Sequence, residues 1–231
     1  MAPKIQQVRG RTVALIIVAI VFVDQLLKIF IKTHYHSGES HAVLGEWFRL
    51  YFIENEGMAY GWSLGGEFGK IILTLFRLAA VIFGVFYLKK IINKKMHPGF
   101  IVCAALIFAG ALGNLIDSMF YGMLFQESNA VMYNVAKFVP GHGYAGFLHG
   151  KVVDMLYFPL IRNAHFPSWF PIWHGEDFEF FRPIFNIADA SISIGVIAIL
   201  LFQKHFFKLS TNPQLGIIKT ESTANSTVSV S

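Results

Sequence analysis

Four apolar stretches, each near the length of a membrane crossing, leave a chain of 231 residues few ways to fold. They run over about 13–31, 71–88, 100–120 and 184–202. Crossing ~30 Å of hydrocarbon takes ~20 residues of helix. No water is available there to satisfy backbone N–H and C=O groups, so such segments close their hydrogen bonds internally. The expected class is therefore an all-α membrane protein of four transmembrane helices. Charged residues make up only 14% of the chain, against roughly 25% in soluble domains. Lys4, Arg9 and Arg11 precede the first stretch as they would in a signal peptide. That stretch is too long for a cleaved h-region and no small-residue cleavage site follows, so it reads as a retained helix.

Basic residues set the expected orientation. Lys4, Arg9 and Arg11 precede the first span, Lys89, Lys90, Lys94 and Lys95 separate the second from the third, and Lys204 and Lys208 follow the fourth. Both termini are then cytoplasmic, and the loops 33–68 and 121–183 face outward. The net charge of +5 is read as this topology signal. It forms no independent basic face, which argues against nucleic acid as a partner. Residues 1–209 form one membrane domain, and the Ser- and Thr-rich 210–231 read as a disordered cytoplasmic tail. The single Cys103 excludes an intramolecular disulfide.

The outer loops carry structure of their own. Trp47-Phe48-Arg49-Leu50-Tyr51-Phe52-Ile53 is aromatic and β-branched and ends at the turn signal Asn55-Glu56-Gly57. Met58 to Trp62 could pair back on it, giving a small sheet with an apolar face suited to the bilayer surface. The second loop holds Phe166, Trp169, Phe170, Trp173, Phe178, Phe180 and Phe181, which read as an interfacial aromatic belt.

Ionisable groups in mid-membrane cost roughly 2.5–3.5 kcal/mol each on insertion scales and mark functional positions. Here they are Asp24, Lys28, Arg77, Asp117 and Asp189, with the polar Asn114. Asp24 and Lys28 are spaced i, i+4 and can pair along one helix face. Asn114 and Asp117, spaced i, i+3, share a face with Gly110 and Gly113, whose small size lets helices approach closely. Asp189 lies a few residues inside the fourth span, at the depth of the outer face. Asp154 sits in the apolar run Val152 to Phe158 of the preceding outer loop. Two such carboxylates on one side of a membrane suggest a shared-proton pair, one taking a proton from water and the other giving one to the scissile group. Spacing alone leaves a second reading open, with Asp189 as a helix cap and Asp154 as an unrelated loop residue.

Five segments, taken in order, resemble the lipoprotein signal peptidases (signal peptidase II) of bacterial inner membranes. Asp24-Gln25-Leu26-Leu27-Lys28 resembles the family's DQxxK. Asn55-Glu56-Gly57-Met58-Ala59-Tyr60 resembles NxGxAF/Y, and Gly110 to Asp117 resembles GGxxGNxxD. Val152-Val153-Asp154 resembles VxD, and Phe185-Asn186-Ile187-Ala188-Asp189 resembles FNxAD. The resemblance covers about residues 12–205. It implies a catalytic dyad of Asp154 and Asp189, site residues at Asn55, Gly57, Asn114 and Asn186, and support from Asp24, Lys28 and Asp117. It implies an aspartic endopeptidase in the inner membrane, its site on the outer face, with an extracytoplasmic β-sheet cradle for substrate. The substrate would be a diacylglyceryl-modified prolipoprotein, cut before its lipidated cysteine. No metal or organic cofactor is implied, and a monomer is expected.

The chain departs from the family pattern at Ala111, where a second Gly is usual, and at Ser118, where Arg is usual. It also carries extra residues at about 121–149 and 159–182. Arg77, about 13 Å inside the second span, is expected either to take over part of the missing Arg's role by reaching Asp117 or the carbonyl side of Asn114, or merely to snorkel to lipid phosphate or a water defect. The alternative class is a small proton-coupled transporter using intramembrane carboxylates, although four spans without an inverted repeat suit it poorly. A metalloprotease lacks its H-E-x-x-H. A Ser-Lys peptidase built on Ser118 and Lys151 has no distinct motif around either residue.

Overall fold

The computed structural model describes residues 7–56, 66–159, 161–165, 177–180 and 183–208. Among them four helices are long and apolar enough to cross a membrane, over Gly10–His34, Phe68–Asn93, Pro98–Leu124 and Ile187–Phe207. In chain order the elements are α1 (Gly10–His34), β1 (Ser40–Leu44), β2 (Phe48–Asn55), α2 (Gly66–Asn93) and α3 (Pro98–Ile116). A π-helical turn over Asp117–Tyr121 then leads into the short α4 (Gly122–Leu124). β3 (Val152–Tyr157), β4 (Ile161–His165), β5 (Asp177–Phe180), β6 (Ile184–Phe185) and α5 (Ile187–Lys208) complete the chain. The chain is thus a multi-pass, mostly helical membrane protein with a small sheet.

Helix α3 is central. Half of its most apolar window is buried, against 17% in each of the other three spans. It packs against α1, α2 and α5. The closeness of that packing explains its small residues: a Cβ on Gly110 would come 2.2 Å from the Ala188 carbonyl oxygen of α5, and one on Gly113 2.8 Å from the Asp24 carboxylate of α1. The remaining spans turn large side chains outward, among them Leu15 and Phe22 on α1, Phe76 and Phe83 on α2 and Leu201 on α5. In a bilayer such faces meet lipid tails as apolar as themselves, so their exposure carries no penalty.

The bundle has two chemically different ends. At one, Val13, Leu88, Ile91, Phe100 and Phe206 form an apolar core. The start of α1, the α2–α3 junction and the end of α5 meet there. At the other, Ile31, Phe52, Tyr121, Phe125, Val153 and Met155 join the helix ends to the sheet. That sheet is antiparallel with strand order β1-β2-β3-β6. Over Phe48–Phe52, β2 is bonded to the β1 segment on one side and paired with β3 on the other. The strand expected at Trp47 to Ile53 therefore finds its first partner upstream, at Ser40–Leu44. Met58 to Trp62, Gly57, Phe166, Trp169, Phe170, Trp173, Phe181 and the tail 210–231 lie outside the described residues.

The inserted stretch after α4 folds back onto the bundle. Its backbone is bonded to α4 and to the residue that follows it through Val139 N–H to Leu124 O, Tyr144 N–H to Phe125 O and Ala145 N–H to Gly122 O. It returns to the start of β3 with Gly150 N–H donating to Ser118 O. β4 and β5 form a separate two-stranded antiparallel sheet.

Candidate active site

Asn186 organises the site. It caps α5, and Asp189 stands three residues further on. The Asn186 Oδ1 accepts from the Asp189 N–H at 2.9 Å while the Asp189 Oδ2 accepts from the Asn186 N–H at 3.3 Å. This reciprocal pair follows the capping-box logic and satisfies two helix-end donors. The amide nitrogen of Asn186 remains for other partners. It donates to Asp154 Oδ1 at 2.7 Å, and lies 3.2 Å from Asn114 Oδ1 and 3.3 Å from the Val153 carbonyl. One buried asparagine thus touches both aspartates.

Each aspartate has a second clamp. Asn55, the last residue of β2, donates to Asp154 Oδ2 at 3.2 Å. Asn114 on α3 donates to Asp189 Oδ1 at 2.8 Å. Asn114 is held in turn by Lys28, whose ammonium donates to Asn114 Oδ1 at 2.9 Å. The antiparallel register of β2 and β3, which places Ile53 opposite Asp154, carries Asn55 to that carboxylate. Asp154 is buried within β3. Its carboxyl is pushed up to about 7, first by burial and next by the charge of Asp189. Two carboxyls sharing a site behave this way because only one ionises readily.

Beneath the dyad lies a buried ion cluster. The Lys28 ammonium is 2.9 Å from Asp24 and 2.8 Å from Asp117, and all three side chains are essentially sealed from solvent. Asp24 also accepts the Ala188 N–H at 2.9 Å, tying α1 to the first turn of α5. Asp117 reaches β3 by accepting the Val153 N–H at 3.4 Å. Gln25, quoted in the sequence only as part of a motif, bridges the same cluster. Its amide donates to Asp117 at 2.8 Å and its oxygen accepts from the Tyr121 hydroxyl at 3.2 Å. The i, i+1 neighbour of Asp24 could have been suspected, since it too is polar within an apolar span. Tyr121 could not, because the π-helical turn that aims it shifts the helix phase after Asp117.

Arg77 differs from its expectation. Its Nη1 donates to the Ser118 hydroxyl at 2.7 Å, and Ser118 donates onward to the Asn114 carbonyl at 2.9 Å. Asp117 is already occupied by Lys28, Gln25 and the β3 backbone, so the guanidinium meets the residue that stands where the resemblance leads one to expect Arg. It reaches the Asn114 carbonyl through that hydroxyl. The same bond removes the Ser-Lys reading, because the Ser118 hydroxyl is engaged and the Lys151 ammonium lies 3.1 Å from Glu127. Gly57, the remaining site residue named from the sequence, lies outside the described residues. Among the described residues no three His, Cys, Asp or Glu side chains converge on a metal position.

The profile of the family described as Signal peptidase (SPase) II matches residues 16–206. The chain belongs to the signal peptidase II family. A protein of Porphyromonas gingivalis named lipoprotein signal peptidase is 47% identical over 195 residues, covering 84% of this chain and 83% of that one. A lipoprotein signal peptidase of Amoebophilus asiaticus is 31% identical over 184 residues, covering 78% and 72%. A solved structure described as a bacterial membrane enzyme superposes with a TM-score of 0.55 at 27% identity, covering 91% of this chain and 97% of its own. A second such structure gives 0.52 at 28% identity, covering 86% and 96%. Signal peptidase II enzymes are aspartic peptidases, and the chain is a membrane-embedded hydrolase of this kind.

Proposed function

We propose that the chain removes the signal peptide from diacylglyceryl-modified prolipoproteins, cutting the amide bond before the lipidated cysteine, with Asp154 and Asp189 as its catalytic pair. The observation that carries this reading is the shared clamp on Asn186, which joins a buried strand carboxyl to a helix-cap carboxylate. Asp154 holds the proton and acts as the acid. Asp189 acts as the base and takes a proton from a water molecule, whose oxygen adds to the scissile carbonyl while Asp154 protonates that carbonyl's oxygen. Collapse of the tetrahedral intermediate breaks the C–N bond: the departing amine takes up the proton held at Asp189, and one hydroxyl of the gem-diol returns its proton to Asp154. The signal peptide leaves with a new carboxylate and the cysteine with a free α-amino group. Asn55, Asn114 and Asn186 orient the two carboxyls, and the Asp24–Lys28–Asp117 cluster fixes α1, α3 and β3 around them.

The dyad end of the bundle faces outward and the opposite, lysine-rich end faces the cytoplasm, in keeping with the bias of basic residues. The sheet then lies at the outer membrane surface. Its exposed Val43, Leu44, Trp47 and Ile53 offer apolar contact to lipid or to the acylated substrate. Phe48 and Phe158 stack at 4.7 Å beside them. The decisive experiment is cleavage by the purified protein in detergent of matched precursors with and without the diacylglyceryl group. Cleavage of the lipidated precursor alone is expected. No cleavage of either would overturn the reading.

A further inference from the structure

A cleft of about 550 Å³ opens beside the dyad, lined by Glu56, Lys70, Tyr144, Gly146, His149 and Lys151, with Glu127 at its edge. Two of its lining residues are close in the chain to residues of the dyad site. Glu56 follows Asn55, whose amide holds Asp154. Lys151 immediately precedes β3, three residues before Asp154. One wall comes from the inserted stretch, which supplies Glu127, Tyr144, Gly146 and His149. That wall is fixed: Tyr144 accepts the Lys151 N–H at 2.5 Å, and its ring lies against the ammonium groups of Lys32 and Lys151.

Four of the lining side chains are charged, Glu56, Lys70, Glu127 and Lys151, and an acyl chain or an apolar signal helix entering there would strip them of water. A substrate cut at Asp154 has one polar portion, the mature polypeptide beyond the lipidated cysteine. The charges in the cleft are unequally engaged. Lys151 lies 3.1 Å from Glu127 and 4.0 Å from Glu56. Lys70, at the outer end of the second span and half-buried, makes no ion pair among the described residues. We infer that this cleft is the subsite for the mature-side segment of the substrate, and that Lys70 there selects an acidic side chain. From Asp154 to Lys151 is about 10 Å of extended chain. A substrate strand running from the dyad toward Lys151 covers this distance in about three residues, which puts its second to fourth residues after the scissile bond in the cleft that Lys70 lines. The extra residues at about 121–149 thereby have a task, as one wall of a peptide channel.

This inference rests on the proposed peptidase activity, and its test separates the two. Two lipidated precursors are compared in a zwitterionic detergent, identical except that the second to fourth residues after the cut are Asp and Glu in one and Asn and Gln in the other. The wild-type chain is expected to favour the acidic precursor about three- to tenfold in kcat/KM, the range of a partly screened charge pair, and less at high salt. In Lys70→Gln the ratio of the two rates falls to about one, and in Lys70→Glu it inverts. Because the readout is a ratio, any variant that retains activity reports it. A wild-type ratio of one, or a ratio unchanged in Lys70→Gln, overturns the inference while leaving the peptidase reading intact. So does an effect of Lys70→Gln that depends only on added anionic phospholipid. A wild-type chain that cleaves neither precursor overturns both.

Discussion

Asn186 treats the two aspartates differently: it gives its amide N–H to Asp154, and exchanges backbone and side-chain bonds with Asp189. Asp154 is therefore the carboxyl whose protonation is set by burial, and its pH behaviour can be worked out. Its folded value of about 7 lies above the ordinary 3.8. The native state binds this proton more tightly than the unfolded chain does. Between about pH 4 and about pH 7 stability attributable to Asp154 falls as pH rises, and above that it has no further slope. Thermal unfolding across this range should show the decline in the wild type, and Asp154→Asn should lose it. Cleavage needs the proton on Asp154, so kcat/KM should decrease as pH climbs through about 7. Asp154→Asn and Asp189→Asn should each lower kcat by at least roughly 10²-fold, the lower range for a general acid or base, while remaining inserted and folded. Substantial turnover by either purified variant would sink the pairing.

At the scale of elements, the first turn of α5 combines capping with catalysis, and the two duties can be separated. Asn186→Ala removes both the cap and the clamp on Asp154. Asn186→Ser keeps a hydroxyl able to cap but too short to reach β3. Serine should therefore be the more stable variant by about 1 kcal/mol, the usual worth of a cap, with both nearly inactive. Equal unfolding temperatures for the two would argue that the cap contributes nothing. Helix α2 makes a comparable contribution through Arg77. Its path to Asn114 runs through Ser118, so Arg77→Gln should reduce kcat by roughly ten- to a hundredfold through misplacement of Asn114. Lys at 77 should restore only part, for want of the planar fork. A second change, Asp117→Asn, should not rescue Arg77→Gln, because Asp117 already accepts from Lys28, Gln25 and the Val153 N–H. Rescue would instead support the direct Arg77–Asp117 pair that the sequence suggested.

Legibility followed the range of the interaction. Short-range signals were readable: Asp24 and Lys28 one helical turn apart, Gly110 and Gly113 on the close-packed face of α3, and Asn186 three residues before Asp189. The strand at Phe48–Asn55 showed in its aromatic and β-branched run. Its partner β1, Ser40–Leu44, has no such run and is defined by hydrogen bonds to β2. Lys32, one residue beyond the first apolar stretch, carried no signal in the sequence. It is in fact fully buried against Glu54, with Phe52, Phe125 and Tyr144 around its ammonium, a cage assembled from three distant segments. For Arg77 the sequence left two targets open, Asp117 and the carbonyl side of Asn114; the guanidinium reaches the second through Ser118, and no spacing rule shows that Asp117 is already taken.

At the scale of the whole molecule, the polarity gradient along the bundle decides between a peptidase and a transporter. Asp24, Lys28, Asn114, Asp117 and Asp189 gather toward the sheet end. The interior at the opposite end is closed by Val13, Leu88, Ile91, Phe100 and Phe206. A proton path across the membrane would have to traverse that apolar plug, whereas a surface hydrolase needs only the polar half. The same gradient gives a topology prediction, since a peptidase acting on exported proteins must open its polar end outward. The start of α1, the α2–α3 junction and the end of α5 share the plugged end, so their sidedness cannot be assigned independently. Reporters fused after residue 93 and after residue 208 should both read cytoplasmic, and reporters within 33–56 or 125–150 should both read external. The Lys and Arg residues at positions 9, 11, 89, 90, 94, 95, 204 and 208 supply the bias. Replacing Lys89, Lys90, Lys94 and Lys95 by Gln should weaken it and yield a mixed population. An external reading for the 89–95 junction in the wild-type chain would put Asp154 and Asp189 on the cytoplasmic side, where exported precursors no longer present their cleavage site, and the peptidase assignment would fall with it.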